Sequence, residues 1–409
     1  MKVYVVASGR RIQPFDEPVS TMPVAGRTLG EEQAALFSRF SLERVLVSDL
    51  SEIQSNEPAI VTYDDVYFTR RVLKSFLSSW DRARPGVLAL PQSSGVFATF
   101  GDLQDFEVRG DLALFRFFGI PGASPAVPLP QLRESAVPVP VVYRERIVPI
   151  DVPRHVVGFE KWNHPVTSSI CLHVSHWIHV LYANLLAIQV RWVDQALTRP
   201  LWALSRLLWA GLPGRGSYLE RLTRRSNVVG RNVKIHSTAF VEGSFIGDGT
   251  IIGPQATVRA SYIGREVKID QRADVTYSVL GDRCFVSKHA ILNSAVAFDG
   301  ADLCPKGLQM SLIGRDVGLG ARVNFMDTMP GGKIKVMHDG ELRELEAPVL
   351  GSCVGHGSAI GPDIYIAPGR ALPNGTRIVM PKERILFRVP KELDPEVTYV
   401  ARDGTLEPL

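Results

Sequence analysis

"FIGDGTIIGPQATVRASYIGREVKIDQRADVTYSVL", residues 245–280, decides the fold of the C-terminal half. Aliphatic residues stand at Ile246, Ile252, Val258, Ile263, Ile269, Val275 and Leu280, in steps of 6, 6 and 5, so the larger period is 17. The rhythm starts upstream at Val229, Ile235 and Val241 and continues through Val286 and Leu292. FIG at 245, YIG at 262 and VLG at 279 mark the period, and LIG at 312 follows after a small slip. A step of six suits neither an α-helix nor a lone strand. It suits a triangular solenoid in which each unit is one short strand and one corner. The aliphatic residue points inward, and four residues later a small one fits the corner: Ala239, Thr250, Ala256, Ala273, Cys284, Ala290. Coils stacked at the sheet spacing of about 4.8 Å bury one continuous apolar column. The pattern resumes at Val354, Ile360, Ile366, Leu372 and Ile378.

This repeat resembles the hexapeptide-repeat left-handed β-helix, an all-β domain expected over 226–380. Flat prism faces that pack side by side predict a homo-oligomer, a trimer foremost. The two repeat blocks are separated by an excursion at 326–348. There "KIKVMHDGELREL" places two alternating runs around Asp339-Gly340, a hairpin signal. Such a hairpin either touches a neighbouring subunit or ligand, or is a solvated decoration.

The remaining texture suggests an α/β domain over 1–153, a helical linker over 154–225 and a tail over 381–409. Prolines crowd 121–153 and read as extended loop and edge strand. The composition, 45% hydrophobic and 22% charged, is that of an ordinary folded protein. A net charge of +4 with no Lys/Arg-rich block argues against nucleic acid. Cys171, Cys284, Cys304 and Cys353 are too scattered for a disulfide framework or zinc site. The chain enters an apolar strand at once, without a signal-peptide pattern, so a cytoplasmic location is expected.

The opening is the strand Val3–Val6, then Ala7-Ser8-Gly9-Arg10-Arg11, then "PVSTMPVAGR" at 18–27. It resembles the sugar-1-phosphate nucleotidyltransferases, many of which join an α/β nucleotide-binding domain to a β-helix. Their opening is a strand, a glycine-rich loop with an arginine, a Pro-Lys-Pro segment and a Pro-Val-x-Gly-Arg/Lys element. The resemblance implies a nucleotide site at Ala7, Ser8, Gly9 and Arg10, with Arg11 as catalytic cation. It also implies an aspartate at a strand end that holds Mg2+. Asp65 in "AIVTYDDVYFT", 59–69, is that residue, with Asp64 beside it. The plainer reading is two loop acids capping the next helix.

The departures are chemical. A phosphate-cradling loop needs glycines so that backbone N–H groups reach the anion. Nucleotidyl transfer also needs cations on the spreading phosphate charge. Only Gly9 remains, and Val19 stands where the lysine belongs. About 35 residues separate the opening motif from Asp65, room for one helix and one strand. The expectation is a shortened domain with weak or absent transfer.

Residues 164–190 carry no Asp, Glu, Lys or Arg. A helix capped by Ser168 or Ser169 is expected, then a second one from Pro200 to Gly211. Residues 166–211 should pack between the domains and on the first coil near Val229 and Ile235. The alternatives are peripheral membrane contact and a membrane span. His173, His176 and His179 spread around a helix, so no metal triad is expected. His289 and His356 lie at outward turns of the repeat. β-helix acyltransferases use a coil histidine as general base, so His356, flanked by glycines, is the candidate under an acetyl-CoA-dependent acyltransferase alternative. A third alternative is a non-catalytic protein that binds a nucleotide or sugar phosphate, or that scaffolds a complex.

Overall fold

A computed structural model describes residues 1–53, 55–122, 129–152, 154, 160–212 and 218–409. The N-terminal part is built on a mixed sheet. Its central strand Lys2–Val6 runs parallel to Glu43–Val47 on one side and to Ala59–Tyr63 on the other. The long strand Leu112–Ile120 lies antiparallel between Ala59–Tyr63 and Gly86–Pro91. Val137–Pro140 closes the far edge, parallel to Gly86–Pro91, and Glu107–Arg109 pairs with the start of the long strand. Continuous apolar runs such as Val3–Val6 and Ala59–Val61 are buried, as expected of strands covered on both faces. Helix Leu29–Arg39 opens with a capping box. Thr28 accepts from the Glu31 N–H at 3.2 Å, and the Glu31 carboxylate accepts from the Thr28 N–H at 2.8 Å.

The proline-rich segment holds more structure than its composition suggests. Leu129–Ser135 is helical, and Glu145–Asp151 is a strand. Val137–Pro140 does take the edge position, where Pro138 and Pro140 are tolerated. Residues 123–128, 153 and 155–159 fall outside the described part.

The linker departs from expectation at its start. No helix begins at Ser168 or Ser169. Instead Lys161–Thr167 pairs with Glu145–Asp151, and Cys171–His173 pairs antiparallel with Val66–Phe68. Strand pairing satisfies the backbone there and buries Cys171, Leu172 and His173, which outweighs local helical rhythm. The helix runs Trp177–Thr198 and is buried from Trp177 through Ile188. It does not sit on the first coil, where Val229 and Ile235 stay exposed. It lies along the middle coils, against Val279, Val296 and Leu312, with Trp192 reaching Phe245 at 4.5 Å between ring centres. The second half of the linker is also not shielded: Leu197, Leu201 and Leu208 are exposed. Among the described residues, no helix is long and apolar enough to cross a membrane.

The C-terminal part is stacked parallel strands, consistent with a β-helix. One stack pairs Val228 with Phe245, Phe245 with Tyr262 and Tyr262 with Val279, each step one 17-residue coil. The inward residues Ile246 to Leu280 are buried in one column. Serines at 244, 261 and 278 are fully buried, and each hydroxyl accepts the N–H of the next coil, at 3.2, 3.1 and 3.1 Å. Stacking thus carries its own polar ladder beside the apolar one. The step from Leu312 to Cys353 encloses the excursion, whose strands Lys335–His338 and Glu341–Glu344 pair around Asp339-Gly340. This hairpin folds back onto its own chain. Ile334, Val336 and Leu345 enter a shared core, and Asp102 accepts the N–H groups of Glu346 and Ala347 at 3.2 and 2.9 Å.

Candidate functional site

The loop after the first strand lies at the carboxyl ends of the parallel strands, where α/β proteins bind ligands. Its backbone is largely used up by internal bonds. The Ala7 N–H donates to the Val47 carbonyl at 3.0 Å, Ser8 N–H to Asp64 Oδ1 at 2.8 Å, and Arg10 N–H to Ser8 Oγ at 3.3 Å. Gly9 takes φ +66°, the left-handed turn that lets the loop close. Asp64 therefore holds the loop. Neither it nor Asp65 caps the following helix Arg70–Ser79, whose N-cap is Thr69.

Asp65 is fully buried at the end of Ala59–Tyr63. Its Oδ2 accepts from Arg116 Nη2 at 2.5 Å and lies 3.4 Å from Arg10 Nε. Arg10 also reaches Asp105 at 3.7 Å. Burial pushes the Asp65 carboxyl up to about 6, against the pull of the Arg116 and Arg10 charges. The His173 ring accepts the Arg116 backbone N–H at 3.1 Å, and burial holds this histidine far below its usual range, so it is neutral. A cavity of about 40 Å³ beside the cluster is lined by Asp105, Arg116, Arg133 and His173.

These residues do not fit a magnesium ion. Mg2+ takes six oxygens in a near-octahedral shell, several of them waters. Here one Asp65 oxygen faces two guanidinium groups, the carboxyl is sealed from water, and Asp64 is spent on the loop. Among the described residues, no three His, Cys, Asp or Glu side chains converge on a metal-sized site.

The other sequence candidates are dispersed. Arg11 turns away from Asp65 and pairs with Asp16 at 2.8 Å within its own hairpin. Val19 is fully buried with Ile12, Phe15 and Met22, so the position of the family's lysine is packing here, not surface. His289 is an exposed corner residue at φ +63°. His176 and His179 are buried and bond separate carbonyls, Met337 at 3.1 Å and Asp102 at 2.9 Å. Burial lowers them to about 4 and about 3.

His356 is covered by the N-terminal hairpin. Its ring stacks on Phe15 at 4.7 Å. Nδ1 accepts the Arg315 N–H at 2.8 Å, and Nε2 lies between Arg315 Nη1 at 3.3 Å and Glu17 Oε1 at 3.4 Å. Glu17 and Arg315 form a two-pronged ion pair. Asn374 ties the junction by accepting the His356 N–H and donating to the Phe15 carbonyl. Neither ring nitrogen is free to act as a base.

A cleft of about 510 Å³ lies between the opening segment and the repeat. Gly247, Gly264 and Gly281 form its smooth floor, where a Cβ on any of the three would fall within 2.7 Å of the next coil's backbone or side chain. Tyr262 and Phe298 flank it. Arg27, Arg265 and Arg315 are matched by Glu31, Asp282 and Asp299, so its formal charge is balanced. Arg265 is held by Asp282 through two bonds of 2.6 and 2.9 Å.

Sequence reasoning missed Arg116, Glu17 and Arg315. Arg116 had a signal, since it is the lone charge within LALFRFFGI, 112–120. Glu17 and Arg315 are 298 residues apart and had none. Protein-family models give no match to the chain, and a search of the curated proteins finds no match either.

Proposed function

We propose that the chain is a nucleotidyltransferase-like protein, with a shortened Rossmann-type domain and a left-handed β-helix, whose transfer site is inactive. The observation that carries this is Asp65. A metal-holding carboxylate must offer its oxygens to a hydrated cation, and here two arginines take that place. Three of the amides that would cradle phosphate, those of Ala7, Ser8 and Arg10, are already bonded within the protein. The cleft between opening segment and coils offers space for a ligand. Its balanced formal charge, glycine floor and two aromatic rings suit a polar, sugar-bearing ligand better than a bare polyphosphate. The protein thus acts as a binding or scaffolding relative of nucleotide-sugar enzymes. The acyltransferase alternative loses its base, because both nitrogens of His356 are engaged.

The test pairs turnover with binding. Wild-type protein is incubated with Mg2+, the four nucleoside triphosphates and a set of sugar 1-phosphates, and pyrophosphate is followed. No release above background is expected, and turnover at about 1 s⁻¹ or faster overturns the reading. Calorimetric titration with nucleotide sugars and sugar phosphates should give binding that Arg265→Ala weakens.

A further inference from the structure

Helix Pro200–Gly211 presents a row of large apolar side chains to solvent. Leu201, Leu204 and Leu208 share one face of that helix and all are exposed, Leu201 at 81% and Leu208 at 65%; Leu197 at the end of the preceding helix and Leu212 just past Gly211 are exposed as well. Leu207 and Trp209 widen the stripe. Isolated exposed leucines are ordinary, but a contiguous stripe of this kind marks an interaction surface.

The charge around the stripe is predominantly positive: helix Pro200–Gly211 and its cap carry Arg199 and Arg206 and no acid, and Asp194 in the preceding helix is paired with Arg39 at 2.7 Å. The Arg206 guanidinium lies 5.4 Å from the Trp202 ring and 5.5 Å from the Trp209 ring. Helix Tyr218–Arg225, whose sequence holds one acid, Glu220, adds Arg221 and Arg224 and is tied back by Arg221 Nε donating to the Ala210 carbonyl at 2.9 Å. At the other end the stripe runs into a groove of about 340 Å³ floored by Val190, Val193 and Leu197. Its rim is Arg70, Arg71 and Lys74, together with Asp194, whose charge is taken by Arg39 at 2.7 Å; Arg71 donates to Ser168 Oγ at 3.2 Å.

We infer that this face lies on an anionic phospholipid surface, with the leucine stripe in the headgroup–acyl boundary and lipid phosphates over Arg70, Arg71 and Lys74. The charge pattern selects this occupant. A second copy docked two-fold would set the arginine flank against itself. A lipid leaflet supplies both the apolar layer for the leucines and the negative charge for the cations. Tryptophan and arginine suit that boundary, and the 12-residue helix Pro200–Gly211 is too short to span a bilayer, which takes about 20 residues.

The test is co-sedimentation of the full chain with vesicles of phosphatidylcholine alone or with 30% phosphatidylglycerol. Binding should be at least about tenfold tighter to the anionic vesicles and weaker in high salt. The triple substitution Leu201→Glu, Leu204→Glu, Leu208→Glu should abolish binding. Arg70→Ala, Arg71→Ala, Lys74→Ala should reduce binding to anionic vesicles about a hundredfold, at about 1 kcal/mol per cation, and leave the phosphatidylcholine value unchanged. All six positions lie at the surface, and an unchanged circular dichroism spectrum checks that each variant folds. Absence of vesicle binding by the wild type overturns the inference. So does a dimer in light scattering that the leucine variant dissociates while vesicle binding is unaffected.

Discussion

Arg116 Nη2 lies 2.5 Å from Asp65 Oδ2, and the carboxyl group it meets is fully buried. Removing one member of a buried pair strands the other charge, at about 3–5 kcal/mol. Arg10 remains 3.4 Å from the same oxygen, so Arg116→Ala should lie at the lower end, about 3 kcal/mol. Urea unfolding measures it. A loss under about 1 kcal/mol would show that the pair is not needed for the fold.

Two pH dependences oppose each other. Asp65 is raised to about 6 from 3.8, so its contribution to stability is present in acid and lost as pH rises through 6, by up to about 3 kcal/mol. His176 and His179 are depressed from 6.5 to about 4 and about 3. Their contribution is present above 6.5 and lost as pH falls, at about 3 kcal/mol each by pH 4. The histidines dominate, so the wild type should lose stability on acidification from pH 7 to pH 4. The Asp65 carboxyl, followed by NMR, should titrate near 6. A urea midpoint that is flat or rises towards pH 4 contradicts the balance of signs.

Phe15 joins the N-terminal hairpin to the coils through Phe298, at 5.3 Å, and His356. It is nearly fully buried, so Phe15→Ala should destabilise by about 3–5 kcal/mol. Limited proteolysis should then cut within 8–18 before any other site. Unchanged resistance to protease would mean that the hairpin does not depend on this anchor.

Gly26 has φ +89°, and a Cβ there would stand 2.0 Å from the Tyr262 hydroxyl. Gly26→Ala meets both a backbone strain of about 1 kcal/mol and a clash. Adding Tyr262→Ala to the Gly26→Ala protein removes the clash but not the strain. The double variant should therefore show a positive coupling in a thermal-melt cycle, and strictly additive losses would refute the contact.

The repeat was legible because a solenoid interior admits only inward aliphatic and small corner residues, and these recur at Ile246, Ile252 and Val258 whatever surrounds the coils. The outward column Phe245, Tyr262, Val279 and Val296 has the same period, and Leu312 continues it one residue short. Spacing alone does not say that the Trp177–Thr198 helix covers part of it. The helix start was misplaced because Cys171–His173 is claimed by Val66–Phe68, a partner more than a hundred residues away. Asp65 was legible as a strand-end carboxylate. Its arginine partners were not, since the pairing depends on which strands become neighbours in the sheet.

One core cluster draws on Ile12 and Phe15 from the opening, Leu181 from the long helix, Val296 from the coils and Val336 from the hairpin. No single stretch of chain therefore owns that cluster, although the sheet and the coils each keep a core of their own. Cutting at 153 or 225, where composition changes, would leave each fragment with half of an apolar seam open to water. The chain should melt as one cooperative body, and its two architectures are one inheritance unit: neither can be exchanged for another domain without rebuilding the surface it leans on.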